Sequence, residues 1–366
     1  MRRDWLWLLL LVAVLTAAKA PLWSLDRPLE ADEIVYLTLS ERLPHRYDLQ
    51  GAKVLQYVSP EVYDRPLFFH PPLFSALVKL GGENMLVPWA ANAATLWLVW
   101  WLGTRWLDRR GAWFATLLYA ACPVAFLCGC RLWMDGLLTM WMTAAVAGTV
   151  WALEKDDDRR LIVPGFLLGL ASLTKLPGLL AALPMAVVWL TSGRPIRTRQ
   201  LAAVVVPVVL LLGPWLLTLY RVYHSLGLAE SRIPDAELPR FPFMGLARSR
   251  PFWFYVAGLL LVAPAHFYSF WGDTRMKTAT AWAWGVIVAL TWFSLSNTFQ
   301  LRYILPALPA LCLLGGSRLS RLPSPAFGMA AVFMVYAMAC GVYAGLLHRD
   351  LGDLVPVVHP TIPGLF

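Results

Sequence analysis

RLWMDGLLTMWMTAAVAGTVWALE, residues 131–154, opens with Arg131 and Asp135 and then carries no charge until Glu154. An uncharged apolar run of this length crosses a bilayer as one helix, which needs about 20 residues. Similar runs recur along the chain, and the charges fall between them. Of the 366 residues, 59% are hydrophobic and only 14% charged, against roughly 25% charged in soluble domains. A soluble enzyme, a secreted disulfide scaffold and a disordered chain are thereby excluded. The sequence is that of an all-α polytopic membrane protein.

Outward from 131–154, the runs predict about 11 transmembrane helices. They fall at about 5–23, 84–104, 111–128, 134–152, 161–174, 177–191, 201–221, 251–271, 279–296, 303–316 and 326–347. The pair 161–174 and 177–191 is broken by Lys175 and Pro177. The first run resembles a signal sequence, with Ala18-Lys19-Ala20 mimicking a cleavage site, but it continues through Leu22 and Trp23 and is expected to stay uncleaved. With the N-terminus inside, every short turn on the cytoplasmic side has at least two basic residues, as the positive-inside rule requires. The polar stretches 24–83 and 222–250 and the tail 348–366 then lie on the outer side, the tail apart from a single transmembrane domain over 1–347.

The net charge of +9 invites a nucleic-acid reading, but no basic run or nucleic-acid motif accompanies it. It is loop charge that orients helices. The five cysteines all sit in apolar segments, so no disulfide framework is implied. Within the first outer loop, Glu33–Leu43 alternates apolar and polar residues as an amphipathic helix on the membrane surface does. Pro71-Pro72 opens a second helix, Leu73–Leu80, which Gly81-Gly82 closes.

Six residues are candidates for chemistry. Asp32 and Glu33 begin the loop helix, either as N-cap and first-turn charge or as site carboxylates. Asp135 starts the 134–152 helix, where it lines a polar cavity or pairs with Arg131 at i,i+4. Lys175 interrupts apolar sequence and needs an anionic partner, for which a lipid phosphate is one choice. Arg302, beside Tyr303, is a phosphate contact or an interfacial anchor, and His70, before Pro71-Pro72, a phosphate donor or a loop cap. Asp32, Glu33 and Asp135 offer hard oxygen ligands suited to Mg²⁺ or Mn²⁺, which leaves the metal unknown; no other cofactor is implied.

Taken in order, Asp32-Glu33, His70-Pro71-Pro72-Leu73, Asp135, Thr174-Lys175 and Arg302-Tyr303-Ile304-Leu305-Pro306 resemble the membrane-embedded GT-C glycosyltransferases. The likeness spans about residues 5–315 and is nearest to the branch of the protein O-mannosyltransferases and the aminoarabinose transferases of lipid A. It implies a GT-C-like bundle whose first outer loop carries the catalytic acid. It also implies transfer of a sugar from a polyprenyl-phosphate-linked donor to a lipid, glycan or protein hydroxyl at the extracytoplasmic face of a bacterial inner membrane. By position, Asp32 is similar to the catalytic carboxylate and Asp135 to a second essential acid, with His70, Lys175 and Arg302 near the donor phosphate. The sequence has no counterpart of the soluble domain that many relatives carry, which leaves the acceptor open. The competing reading is a non-enzymatic lipid-linked sugar or polyprenyl transporter. Transporters favour inverted repeats and midplane charges, whereas here the acids sit at outer helix ends.

Overall fold

The computed structural model describes residues 2–23, 29–56, 64–155, 157–224, 250–270, 276–294 and 300–347. Regular structure among these residues is entirely helical. Almost all of the second polar loop, 222–250, and the tail 348–366 lie outside the described residues. The chain divides into two compact units. One comprises residues 1–22, 92–130 and 235–366, the other residues 23–91 and 131–234.

The first unit contains α1 (Arg2–Lys19), most of α4 (Leu86–Trp106), α5 (Arg109–Ala121) and α6 (Pro123–Cys128). It also contains α11 (Arg250–Val262), α12 (Phe267–Phe270), α13 (Lys277–Ser294), α14 (Leu308–Leu319) and α15 (Ser324–Leu346). Charges pin α1 at both ends. Asp4 pairs with Arg109 at 2.7 Å, while Lys19, buried, donates to Asn92 Oδ1 at 2.6 Å and lies over the Phe126 ring. Helices α5 and α14 meet where both carry glycine. A Cβ on Gly316 would lie 2.5 Å from the Gly111 carbonyl oxygen and 2.8 Å from the Ala115 nitrogen. Small residues at such a crossing let two backbones come close enough for dispersion to hold them.

The second unit contains α2 (Ala31–Arg42), α3 (Leu73–Leu80), α7 (Met134–Glu154), α8 (Ile162–Thr174), α9 (Ala182–Thr191) and α10 (Thr198–Tyr223). Helix α2 forms where the alternation predicted it, but its apolar side faces protein. Val35, Tyr36 and Leu39 pack with Phe74 and Val78 of α3 and with Leu132, Met134 and Leu137. Their spacing of one and four residues gathers them on one helical stripe that needs an apolar partner, and α3 supplies it. Helices α8 and α10 approach closely because Gly165 and Gly169 of α8 face the backbone of Val204 and Val208.

Four described helical segments are long and apolar enough to span by themselves: Asp4–Leu22, Met134–Glu154, Thr198–Tyr223 and Phe327–Leu346. A fifth is Phe252–Val262 with Pro264–Phe270 if that pair, bent by 118°, is one span. Leu86–Trp106, Ile162–Thr174 and Lys277–Ser294 form as unbroken helices close to the expected 84–104, 161–174 and 279–296, whereas the runs 111–128, 177–191 and 303–316 are interrupted. The 111–128 run breaks at Cys122, which is extended because Pro123 follows it. The 303–316 run begins as a 3₁₀ stretch, Leu301–Ala307, that contains Pro306. Between α8 and α9, Lys175 is extended (φ −158°, ψ 136°) and a 3₁₀ stretch, Leu176–Ala181, follows. Gly178 in that stretch rests against the Ala171 backbone with no room for a Cβ.

Gly316→Leu is expected to force α5 and α14 apart and destabilise the protein by about 1–3 kcal/mol, as overpacking does. Gly328→Ala, with nothing within 4 Å of the added Cβ, serves as the comparison. Thermal midpoints in detergent check this: the first falls, and the second stays or rises slightly.

Candidate active site

The start of α2 is built by acids. Glu30, with extended ψ of 158°, is the N-cap, a role the sequence offered to Asp32, which instead occupies the first turn. Glu33, three residues on, reaches back and accepts the Glu30 N–H on Oε2 at 3.1 Å. Its other oxygen accepts the Leu132 N–H at 3.0 Å. Arg131 Nη1 lies 3.4 Å from Glu33 Oε2 and 3.2 Å from Glu30 Oε1. Both Glu33 and Arg131 are buried, whereas Asp32 beside them is partly exposed. Glu33 is therefore committed to a guanidinium and two backbone amides. The i,i+4 pairing of Arg131 with Asp135 that the sequence allowed is replaced by this longer-range one.

Asp135 pairs elsewhere. Helix α7 leaves its N-terminus at Trp133–Met134, and α8 returns antiparallel to end at Thr174, so the start of one lies level with the end of the other. Lys175 Nζ donates to Asp135 Oδ1 at 3.0 Å. Each charge also suits its own helix: a carboxylate in a first turn and an ammonium at a C-cap both oppose the macrodipole. Asp135 is buried, while the Lys175 side chain keeps 18% of its surface exposed. The partner that Lys175 required is thus a carboxylate of the same unit.

His70 lies close enough to this pair to feel both charges. It follows Phe68 and Phe69, its ring 4.3 Å from that of Phe69, and precedes Pro71, whose carbonyl accepts from Tyr47 Oη at 3.1 Å. Although some of the side chain stays accessible, protein surrounds the ring tightly. Burial first, and then the Lys175 charge, push its pKa down to about 3, with Asp135 pulling the other way. At neutral pH His70 thus offers one N–H and no charge, so of the cations expected at the donor phosphate this unit supplies Lys175 alone.

Arg302 belongs to the other unit, on the Leu301–Ala307 stretch, where it is buried with its guanidinium 5.8 Å from the centre of the Tyr303 ring. Among the described residues no group of three or more His, Cys, Asp and Glu is arranged to hold a metal ion. Glu33 and Asp135, two of the three acids whose oxygens suit such an ion, each meet a cation of the protein instead. Sequence reasoning missed Glu30 and the role of Arg131. A signal was present: Glu33 lies three residues before the buried Tyr36 on the apolar stripe of α2, and an acid there demands a buried cation.

A family model described as dolichyl-phosphate-mannose-protein mannosyltransferase matches residues 70–218, a range that contains His70, Asp135 and Lys175. The undecaprenyl phosphate-alpha-4-amino-4-deoxy-L-arabinose arabinosyl transferase of Aeromonas salmonicida is 26% identical over 334 residues, 83% of this chain and 57% of the relative. That of Pectobacterium carotovorum is 25% identical over 377 residues, 90% of this chain and 64% of the relative. The chain therefore spans less than two thirds of the length of these relatives. ArnT from Cupriavidus metallidurans bound to undecaprenyl phosphate superposes with a TM-score of 0.65 at 19% identity, over 98% of this chain and 66% of its own. The oligosaccharyltransferase AglB from Archaeoglobus fulgidus gives 0.53 at 12% identity, over 98% of this chain and 58% of its own. The chain has the GT-C fold of these structures and is an integral membrane protein. The resemblance to the aminoarabinose transferase branch holds in sequence and in fold.

A histidine held neutral has a consequence for acid stability. Its folded pKa of about 3 lies below the ordinary 6.5, so the unfolded chain binds this proton first as pH falls. Stability from His70 is full above pH 6.5 and is lost progressively between there and about 3. His70→Gln is expected to flatten the acid limb of the melting temperature between about pH 6 and 4. Equal slopes for the two proteins would contradict a neutral His70.

Proposed function

We propose that the protein is a membrane glycosyltransferase that moves a sugar from a polyprenyl-phosphate-linked donor to an acceptor hydroxyl. The observation that carries this reading is the Asp135–Lys175 pair beside neutral His70, with Asp135 four residues after the Arg131 that closes on the acid-rich start of α2. The fold likeness to a protein solved with undecaprenyl phosphate supports the donor class. An ammonium fixed by a carboxylate, yet still partly exposed, is suited to an anionic phosphate.

In the proposed reaction the acceptor oxygen bonds to the anomeric carbon as the bond from that carbon to the phosphate oxygen breaks. The hydroxyl proton passes to the carboxylate of Asp32, and the electron pair leaves with the polyprenyl phosphate. Such a leaving group is already a stable anion, so the step needs a base at the acceptor and positive charge at the phosphate rather than a strong acid. Asp32 is the base, Asp135 holds Lys175 toward the phosphate and His70 donates a neutral N–H. A single displacement inverts the anomeric configuration. The acceptor class is a hydroxyl of a lipid, glycan or protein.

The reading also assigns an orientation: N-terminus cytoplasmic, chemistry at the outer face of a bacterial inner membrane. The short basic turns support it. With a membrane-impermeant thiol reagent on intact cells, Ser225→Cys is expected to label and Arg197→Cys to stay unlabelled. The opposite pattern reverses the orientation.

Asp32→Asn removes basicity and keeps shape. Turnover of a polyprenyl-phosphate sugar is expected to fall by roughly 10²–10⁴-fold, with the melting temperature in detergent unchanged. Near-normal turnover would move the base assignment to Asp135.

A further inference from the structure

Helix α2 is held at both ends by side chains from other elements. At its C-terminal end the Lys79 ammonium of α3 donates to the carbonyls of Ser40 at 3.2 Å, Glu41 at 3.3 Å and Leu43. These include the carbonyls a helix leaves open in its last turn. At its N-terminal end Arg131 closes on Glu33 and Glu30, and the Leu132 N–H completes the contact. The two clamps differ in kind. Lys79 is at the surface end of the loop, whereas the Arg131 side chain is 2% exposed and that of Glu33 not exposed at all.

We propose that Arg131 is a positioning residue for sugar transfer: its ion triad with Glu33 and Glu30 fixes the start of α2 against the segment leading into α7, and so sets Asp32 relative to Asp135. This rests on the glycosyltransferase reading above. Asp32 adjoins Glu33, and Asp135 comes four residues after Arg131. The intervening residues 131–133 are not helical, so no continuous helix fixes the start of α7 to the rest of the chain there. Glu33 answers both neighbours at once, the Arg131 guanidinium and the Leu132 amide, which fixes position and direction together. Arginine keeps its charge under any burial, so the contact cannot relax by losing a proton. Stability alone gives a weak reason for such a pair, because apolar residues of similar volume commonly do as well. Its yield is geometry, and a misplacement of about 1 Å at a reacting group can cost 10²-fold in rate.

The test uses the full chain in detergent and compares Arg131→Met, Arg131→Lys, the double variant Arg131→Met/Glu33→Gln, and Lys79→Met. Three quantities are read: melting temperature, amide hydrogen exchange over residues 30–36, and kcat and KM for a polyprenyl-phosphate sugar. Arg131→Met is expected to speed exchange at 30–36 and lower kcat by about 10²-fold, with KM changed by less than about 3-fold. The double variant, which removes the fully buried Glu33 charge together with the guanidinium and leaves only the partly exposed Glu30, regains most of the melting temperature but not kcat, and Arg131→Lys regains part of kcat. Lys79→Met, which frees only the far end of α2, lowers kcat by less than about 3-fold. A double variant with wild-type kcat, or a loss confined to KM, overturns the positioning role. Unchanged exchange at 30–36 in Arg131→Met overturns it as well, with no reference to activity. Absence of transfer by the wild-type chain sinks the glycosyltransferase reading instead, a separate failure.

Discussion

A charge buried among apolar helices has to find its opposite, because the interior offers no water to hold it. In the second unit two cations, Arg131 and Lys175, stand in otherwise apolar sequence, and two carboxylates answer them. The Glu33 carboxylate crosses from α2 to the residues before α7, and Asp135 spans from α7 to the end of α8. Each pair therefore joins elements far apart in sequence, by 98 and 40 residues. Because neither cation can move without stranding its acid, the loop helix, the start of α7 and the end of α8 become one arrangement. The reach of His70 into the same field follows from the packing of Phe68 with α2 and α3.

The pairing also explains why the helices break where they do. If α8 and α9 were one span, Lys175 would stand in mid-helix with its ammonium in the apolar region. Pro177 prevents that continuation, and the extended backbone at Lys175 lets the side chain turn toward the first turn of α7. Gly178 lets the following 3₁₀ stretch fold back onto Ala171. Composition at three neighbouring positions, a cation, a proline and a glycine, thus positions one N–H bond to Asp135.

Local punctuation was legible in the sequence. Leu73–Leu80 lies between Pro71-Pro72 and Gly81-Gly82 and forms over those residues, and the 161–174 helix ends at Thr174 just before the lysine. The GT-C fold was legible from five short motifs in order. Less so were the partners of the charges, because a sequence presents i,i+4 neighbours and hides contacts between elements. Arg131 four residues before Asp135 offered the near answer, while the fold brings Glu33 and Lys175 from elsewhere. The face of α2 was misjudged for a related reason. An amphipathic stripe specifies that an apolar surface must be covered, and both a membrane and α3 satisfy it. Span lengths suffered most, since hydropathy averages over Cys122-Pro123 and Leu301–Ala307 where backbone geometry does not.

With the partners known, the three acids of the site separate by what can reach them. A general base must come within hydrogen-bond distance of the proton it takes. Glu33 is fully enclosed and its two oxygens face Arg131, Leu132 and Glu30, so no acceptor reaches it without unmaking the start of α2. Asp135 is 3% exposed, with one oxygen on the Lys175 ammonium, which suits an acid that aims a cation. Asp32 shares the first turn of α2 with Glu33 but keeps part of its surface outside. Of these three acids, Asp32 is the one whose partial exposure lets an incoming hydroxyl approach it. The proposed assignment of Asp32 as base therefore follows from accessibility as well as from its place in the motif. Burial of its neighbour suits the proposed role: the enclosed Glu33 holds the backbone that carries the partly exposed Asp32.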